Sequence, residues 1–292
     1  MPKTKLTALA LAGLFSLAGC QARNSQGPSA DGQLATGIIG GQAVASGSEI
    51  ASHTVLLIDS ERGAICTASI LSSRWLITAA HCVDGANVAR LIIGFDMSLD
   101  HLIGNVSRAN ARLVEKAVVQ PRYADTQAKL AALKKAANDA HRDLDQSELD
   151  KVKDWGDLAL VKIDQDLPAT FTPAALLPIS ASLARGESVV LAGYGRTGSA
   201  DDSKSGELMQ ADVPLGDPFW GTSEVLTDQT QGRGACHGDS GGPAYARVGG
   251  QLMLFGVTSR GMGDHTGNEC VHSGVYTNIN AYRAWIQATI AN

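Results

Sequence analysis

Beyond residue 37 the chain alternates short apolar runs with clusters of Gly, Ser, Asp and Pro, a texture of strands and turns rather than helices. The runs predict strands over His53–Asp59, Cys66–Leu71, Trp75–Ala79, Val88–Gly94, Ala111–Val119, Leu158–Ile163, Ser188–Gly193, Glu207–Val213, Gln251–Ser259 and Gly274–Asn278. So many short strands argue for antiparallel sandwiches or barrels. Two stretches depart from this pattern. In 124–155, rich in Ala, Lys, Leu, Asp and Gln, residues Leu130, Leu133, Ala137, Ala140 and Leu144 recur at helical spacing. Ser147, with Asp150 three residues on, is a candidate cap for a second short helix. A helical hairpin inserted in a loop is expected there, the alternative being a charged loop. Near the end, Tyr282, Trp285, Ile286 and Ile290 share one face, which predicts a docked amphipathic helix.

Residues 1–37 lack this texture. Lys3 and Lys5 precede the apolar run 6–18, which is too short to span a membrane permanently. Its end, Leu17-Ala18-Gly19-Cys20, looks like a bacterial lipobox. Residues 1–19 are thus expected to be a lipoprotein-type signal and Cys20 the acylated residue; an ordinary secretory signal is the alternative. Residues 20–37 are small and polar and form the expected propeptide or tether. Export is expected either way, to a membrane site in the periplasm or at the cell surface.

Composition supports these expectations. The 292 residues include 32 glycines and only 5% aromatics, as in turn-rich β proteins. A net charge of −5 without a basic block argues against nucleic acid as a partner. Setting Cys20 aside leaves Cys66, Cys82, Cys236 and Cys270, for which three pairings are open. There is no Cys-x-x-Cys, and an exported compartment favours disulfides over metal ligation.

The candidate chemistry begins at Gly238-Asp239-Ser240-Gly241-Gly242-Pro243. A glycine-rich turn can hold Ser240 proud, with the Gly238 and Ser240 amides pointing one way as an oxyanion site. A bare surface turn is the competing explanation. A serine hydroxyl needs a base, and the base needs an orienting acid. His81, in Thr78-Ala79-Ala80-His81-Cys82, is the candidate base, whereas His53, His101 and His141 suit structural or solvated roles. Asp157 opens the apolar strand Asp157-Leu158-Ala159-Leu160-Val161-Lys162-Ile163 and is the candidate acid, while Asp125 and Asp154 suit turns.

These three motifs, in the order His, Asp, Ser, resemble those of the chymotrypsin/trypsin family of serine proteases, and the resemblance covers 38–292. It implies an all-β fold of two antiparallel six-stranded β-barrels with the active site between them, and the disulfides Cys66–Cys82 and Cys236–Cys270. It implies activation by cleavage between Gly37 and Ile38, performed by another protease or by the protein itself. The new Ile38 ammonium would pair with Asp239. A lipid on Cys20 would hold the precursor at the membrane, and cleavage would release the protease. The primary pocket would have Gly234 at its base and Ser259, Gly261 and Gly274 in its walls. Without an acid it should take aromatic or larger aliphatic side chains rather than basic ones. Arg260 departs from the family, which commonly has tryptophan there. With His237 and His272 it makes a preference for carboxylates the minority alternative. The insertion should border the outer subsites. No cofactor or metal is implied, the partners are protein or peptide substrates, and a monomer is expected. The rival expectation is an inert binding or adhesin lipoprotein on a protease scaffold, and a nearer one is an esterase using the same residues.

Overall fold

The computed structural model describes residues 38–149, 151–197, 205–263, 268 and 270–292. The expected signal and tether, with Cys20, and the candidate cap partner Asp150 lie outside them.

A two-residue strand, β1 (Gln42–Ala43), leads into a closed barrel. Its strands are β2 (Thr54–Asp59), β3 (Ala64–Ile70), β4 (Trp75–Thr78), β5 (Leu91–Gly94), β6 (Ala111–Val119) and β7 (Ala159–Ile163). They close in the order β2-β3-β4-β7-β6-β5, all pairs antiparallel. Val55, Leu56, Ile70, Leu76, Ile77, Leu91, Ile93, Leu160 and Ile163 are buried within it and against its outer face, each at most 1% exposed.

The second sheet contains β8 (Ala175–Leu176), β9 (Ser188–Gly193), β10 (Met209–Pro214), β11 (Glu224–Asp228), β12 (Pro243–Val248), β13 (Gln251–Met262) and β14 (Ser273–Asn278). It has eight strands rather than the expected six, because β1 pairs with β10 and β8 pairs in parallel with β13. The six longer strands run β10-β9-β12-β13-β14-β11. The ends of that path meet at the Leu215–Thr227 bridge, where Gly216 N–H donates to Leu226 O at 2.8 Å.

Strand periodicity explains how the barrels join. In β9, Val189 and Leu191 point into the second barrel, while Val190 and Ala192 pack with the core that continues from the first. With both faces buried, β9 reads as an unbroken apolar run. The terminal helix Arg283–Ile290 docks as expected through Ile286, with Tyr282 in the preceding 3-10 turn and Trp285 and Ile290 partly buried against the same core.

The insertion is less of a hairpin than its composition suggests. Its helix spans Pro121–Asp139, opened by Pro121 and capped by the Gln120 side chain. Tyr123, Thr126, Leu130 and Ala137 are buried, but Ala140 already lies past the helix end and is exposed. The second helix is a single turn, Gln146–Leu149. Asp145, not Ser147, caps it, accepting from Ser147 N–H at 3.0 Å. No described helix is long and apolar enough to cross a membrane.

Candidate active site

His81 sits on a four-residue helical turn directly after β4, and Asp157 just before β7. Because β4 and β7 pair with Thr78 opposite Ala159, the two ends come together. The His81 Nδ1–H donates to Asp157 Oδ2 at 2.8 Å, and the His81 backbone N–H donates to Oδ1 at 3.0 Å. Ser259 on β13 donates through its hydroxyl to Oδ2 at 2.7 Å, and the Thr277 hydroxyl on β14 donates to the Asp157 carbonyl at 2.9 Å. Ser259, expected only as a pocket wall, therefore also braces the acid. The second barrel thus holds a residue carried by the first.

The electrostatics follow from burial. Desolvation would raise the fully buried Asp157, but His81 and the hydrogen bonds from His81 and Ser259 hold it below the usual carboxylate range. Burial alone would lower His81; the Asp157 charge and hydrogen bond outweigh it and lift the imidazole above its ordinary value.

Ser240 lies in the second barrel on the turn before β12. Gly238 and Gly241 adopt φ of +97° and +79°, which side chains rarely tolerate. A Cβ on Gly241 would sit 2.0 Å from Thr78 Oγ1 and 2.4 Å from Thr67 O, so the turn presses directly on the first barrel. Thr67 N–H donates to Ser240 O at 2.8 Å, and its hydroxyl to Gly238 O at 3.1 Å. His81 and Ser240 line one cleft of about 250 Å³, but no hydrogen bond joins them in this structure. Such contacts often tighten only when substrate is bound. Among the described residues, no acceptor engages the Gly238 or Ser240 amides, which leaves both donors for a ligand oxygen.

The disulfides Cys66–Cys82 and Cys236–Cys270 flank the site. Their sulfurs are bonded to each other and are not available as thiolate ligands, so the Cys-His-Cys groupings around His81 and His237 offer one imidazole each.

Asp239 is fully buried, with Gly195 N–H donating to Oδ1 and Cys236 N–H to Oδ2, each at 2.8 Å. Among the described residues no cation pairs with it, and burial outweighs the two amides to push its carboxyl up to about 7. Ile38 is 1% exposed within the core of the second barrel, and Ile39 and Gly234 exchange backbone hydrogen bonds.

Ser259, Gly261 and Gly274 line the cleft, along with Ala235, Cys270 and the exposed His237. Gly234 does not, because the side chain of Gln229 fills the space beside it. His272 is not among the residues lining the cleft, and its Nδ1 contacts the Ser273 hydroxyl at 3.0 Å. Arg260 does line the cleft but is not a free cation there. Its guanidinium grips Glu224 at 2.7 and 3.1 Å, with the Glu224 side chain 0% exposed, and stacks on Trp155 at 4.1 Å. This neutralisation takes Arg260 out of the argument for a preference for carboxylates and leaves only His237 of the three basic residues to act from the cleft. The same Glu224 carboxylate accepts from the Asp154 and Trp155 amides at 2.8 and 3.1 Å. The end of the insertion is thereby tied to the second barrel, and Trp155 supplies an aromatic wall to the cleft beside Arg260. Nothing in the local sequence marked Gln229, Glu224, Thr277 or Trp155. Most of their partners come from distant parts of the chain, Gln229 meeting Cys270, Glu224 meeting Asp154 and Arg260, Thr277 meeting Asp157, and Trp155 meeting Arg260.

An imidazole and a hydroxyl carried by different barrels and facing one cleft put the molecule among the two-barrel serine hydrolases. Comparison with known proteins sharpens this class. The Trypsin family model matches residues 38–286. CLIP domain-containing serine protease B4 of Anopheles gambiae is 29% identical over 248 residues, which is 77% of this chain and 62% of that protein. Chymotrypsin-like elastase family member 1 of Bos taurus is 27% identical over 243 residues, 78% of this chain and 79% of that protein. Its Homo sapiens counterpart is 27% identical over 240 residues, covering 78% and 81%. The chain thus spans less than two thirds of the Anopheles relative and about four fifths of the mammalian ones. It belongs to the trypsin family of serine endopeptidases.

Proposed function

We propose that this protein cuts peptide bonds through an acyl-enzyme on Ser240. The Ser240 oxygen attacks the substrate carbonyl carbon while its proton passes to His81 Nε2. The tetrahedral oxyanion is held by the Gly238 and Ser240 amides. Its collapse breaks the C–N bond, and His81 returns the proton to the leaving amine. Water then repeats the sequence, releasing the acid and restoring the serine. Asp157 keeps the imidazole in the required tautomer. The observation that carries this reading is the 2.8 Å contact between buried Asp157 and His81 on the cleft that Ser240 lines.

Among the described residues no ionised group lies at the base of the pocket, which supports uncharged side chains over Arg or Lys at the cleaved residue. Activation fits the same picture. Cleavage after Gly37 turns the Ile38 amide into an ammonium, and buried Asp239 is a carboxyl in want of a cation. In this reading residues 1–19 are the signal and 20–37 a tether acylated at Cys20. Residues 38–292 are the protease, freed from the membrane by activation. Two disulfides support export.

The test is stoichiometric labelling by a fluorophosphonate probe of the Ile38-terminated form, abolished by Ser240→Ala. Folded, processed protein that resists the probe overturns the enzyme reading and favours a binding protein. Labelled protein that cleaves esters but no peptide favours an esterase. Active, Ile38-terminated protein retained in carbonate-washed membranes overturns release by cleavage.

A further inference from the structure

We propose that Gln229 closes the floor of the primary pocket and restricts it to aliphatic side chains of about alanine-to-leucine size, rejecting aromatic rings; this rests on the protease reading above. Gly234 and Gly274 should leave the pocket deep, but the depth is already occupied. A Cβ on Gly234 would lie 2.2 Å from Gln229 Cδ and 2.4 Å from both Cγ and Oε1. A Cβ on Gly274 would lie 2.7 Å from the same Oε1 and 2.8 Å from Thr227 Oγ1. One carboxamide therefore fills the space that both glycines leave.

That carboxamide is fastened in place. Gln229 is 1% exposed, and its Oε1 accepts from Ala235 N–H at 2.9 Å. Its Nε2 donates to Ala235 O at 3.3 Å and to Cys270 O at 3.1 Å. These bonds bridge the two segments that the Cys236–Cys270 disulfide also joins. The cleft accordingly reaches Ala235, Cys270 and Gly274 but stops short of Gly234 and Gln229. Admitting an aromatic ring means expelling the side chain and stranding buried carbonyl and amide groups at Ala235 and Cys270, an uncompensated loss of hydrogen bonds. The plug is also neutral, so it offers nothing to a basic side chain.

The experiment compares peptide amide substrates carrying Ala, Val, Leu, Phe or Lys at the cleaved residue, using Ile38-terminated protein titrated with the fluorophosphonate. The unaltered protein should favour the aliphatic series over Phe by about tenfold or more in kcat/KM, the scale at which pocket fit discriminates. Gln229→Ala should raise the Phe-to-Ala ratio by about tenfold or more. Gln229→Met, which keeps the bulk and loses the hydrogen bonds, should lower the melting temperature and leave the ratio unchanged. A preference for Phe in the unaltered protein overturns the inference. So does a Gln229→Ala profile that matches it, or a Gln229→Met profile that shifts as far as Gln229→Ala. If Gln229→Ala does not fold, the unaltered and Gln229→Met profiles decide. Protein that takes no probe fails the protease reading instead, so the two failures are distinguishable.

Discussion

Asp157 keeps its charge where burial alone would remove it, and the residues that secure that charge also set the pH response. A protonated His81 cannot accept the serine proton, so kcat/KM should rise with pH through the imidazole's titration. Asp157 lifts that titration, so the acid limb should have its midpoint above the free-imidazole value of about 6.5. Asp157→Asn removes the charge but leaves the burial, so the surviving limb should move down. In the same variant kcat should fall by about four orders of magnitude. A pH–rate profile of both proteins checks both effects, and a limb unmoved by Asp157→Asn would assign it to another group. Stability carries the opposite mark. The depressed carboxyl stabilises the fold above its unfolded value of about 3.9, and that contribution is lost as pH falls through its lower folded value. This scale was the most legible in the sequence, because His81, Asp157 and Ser240 sit in distinctive local strings. Gln229 was not, since Thr-Asp-Gln-Thr-Gln-Gly reads as an ordinary turn until the distant Cys270 segment lies over it.

Strands were legible where an apolar run stood clear of flanking turn residues. Ala111–Val119 and Ser188–Gly193 have the predicted bounds, whereas Glu224–Asp228 and Pro243–Val248 gave no adequate signal. Glu224–Asp228 is polar at both ends, and only its pairing with β14 makes it a strand. Its first residue helps hold the end of the insertion, alongside the Asp154 carboxylate, which accepts from Thr222 and Ser223. Glu224 receives the Arg260 fork and two amides from the chain just before Asp157, so removing its carboxylate strands a stacked guanidinium as well. Breaking a buried pair on one side only costs about 3–5 kcal/mol. Glu224→Ala should therefore lose stability of that order in urea unfolding and speed hydrogen exchange at the Trp155 amide. Replacing both partners by apolar residues, Glu224→Leu with Arg260→Met, should recover much of the stability without the tether. Equal losses in the single and double variants would show instead that the pair itself stabilises the fold and that the stranded guanidinium is not the cause.

Across the whole molecule, the two barrels share their site, and the proposed cleavage controls the charge at its centre. Among the described residues Asp239 is buried without a cation, and burial pushes its carboxyl up to about 7, well above the unfolded value of about 3.9. An acid raised by folding stabilises the native state as its neutral form. That contribution is whole below the unfolded value and is lost as pH rises through the folded one. The uncleaved protein should thus lose stability between pH 5 and pH 7, at up to about 1.4 kcal/mol per pH unit. If the proposed cleavage brings an Ile38 ammonium to Asp239, the carboxylate is favoured and the sign should reverse. Stability from Asp239 is then present above its unfolded value and lost as pH falls through a depressed one. Urea midpoints at pH 5 and 8, for uncleaved and Ile38-terminated protein, separate the cases. His81 and Asp157 are present in both forms, so the difference between them reports the Asp239–Ile38 pair, the new α-amino group included, and Asp239→Asn should reduce that difference. Identical slopes in the two forms would mean that the ammonium never reaches Asp239, and cleavage would then need another route to the Ser240 turn.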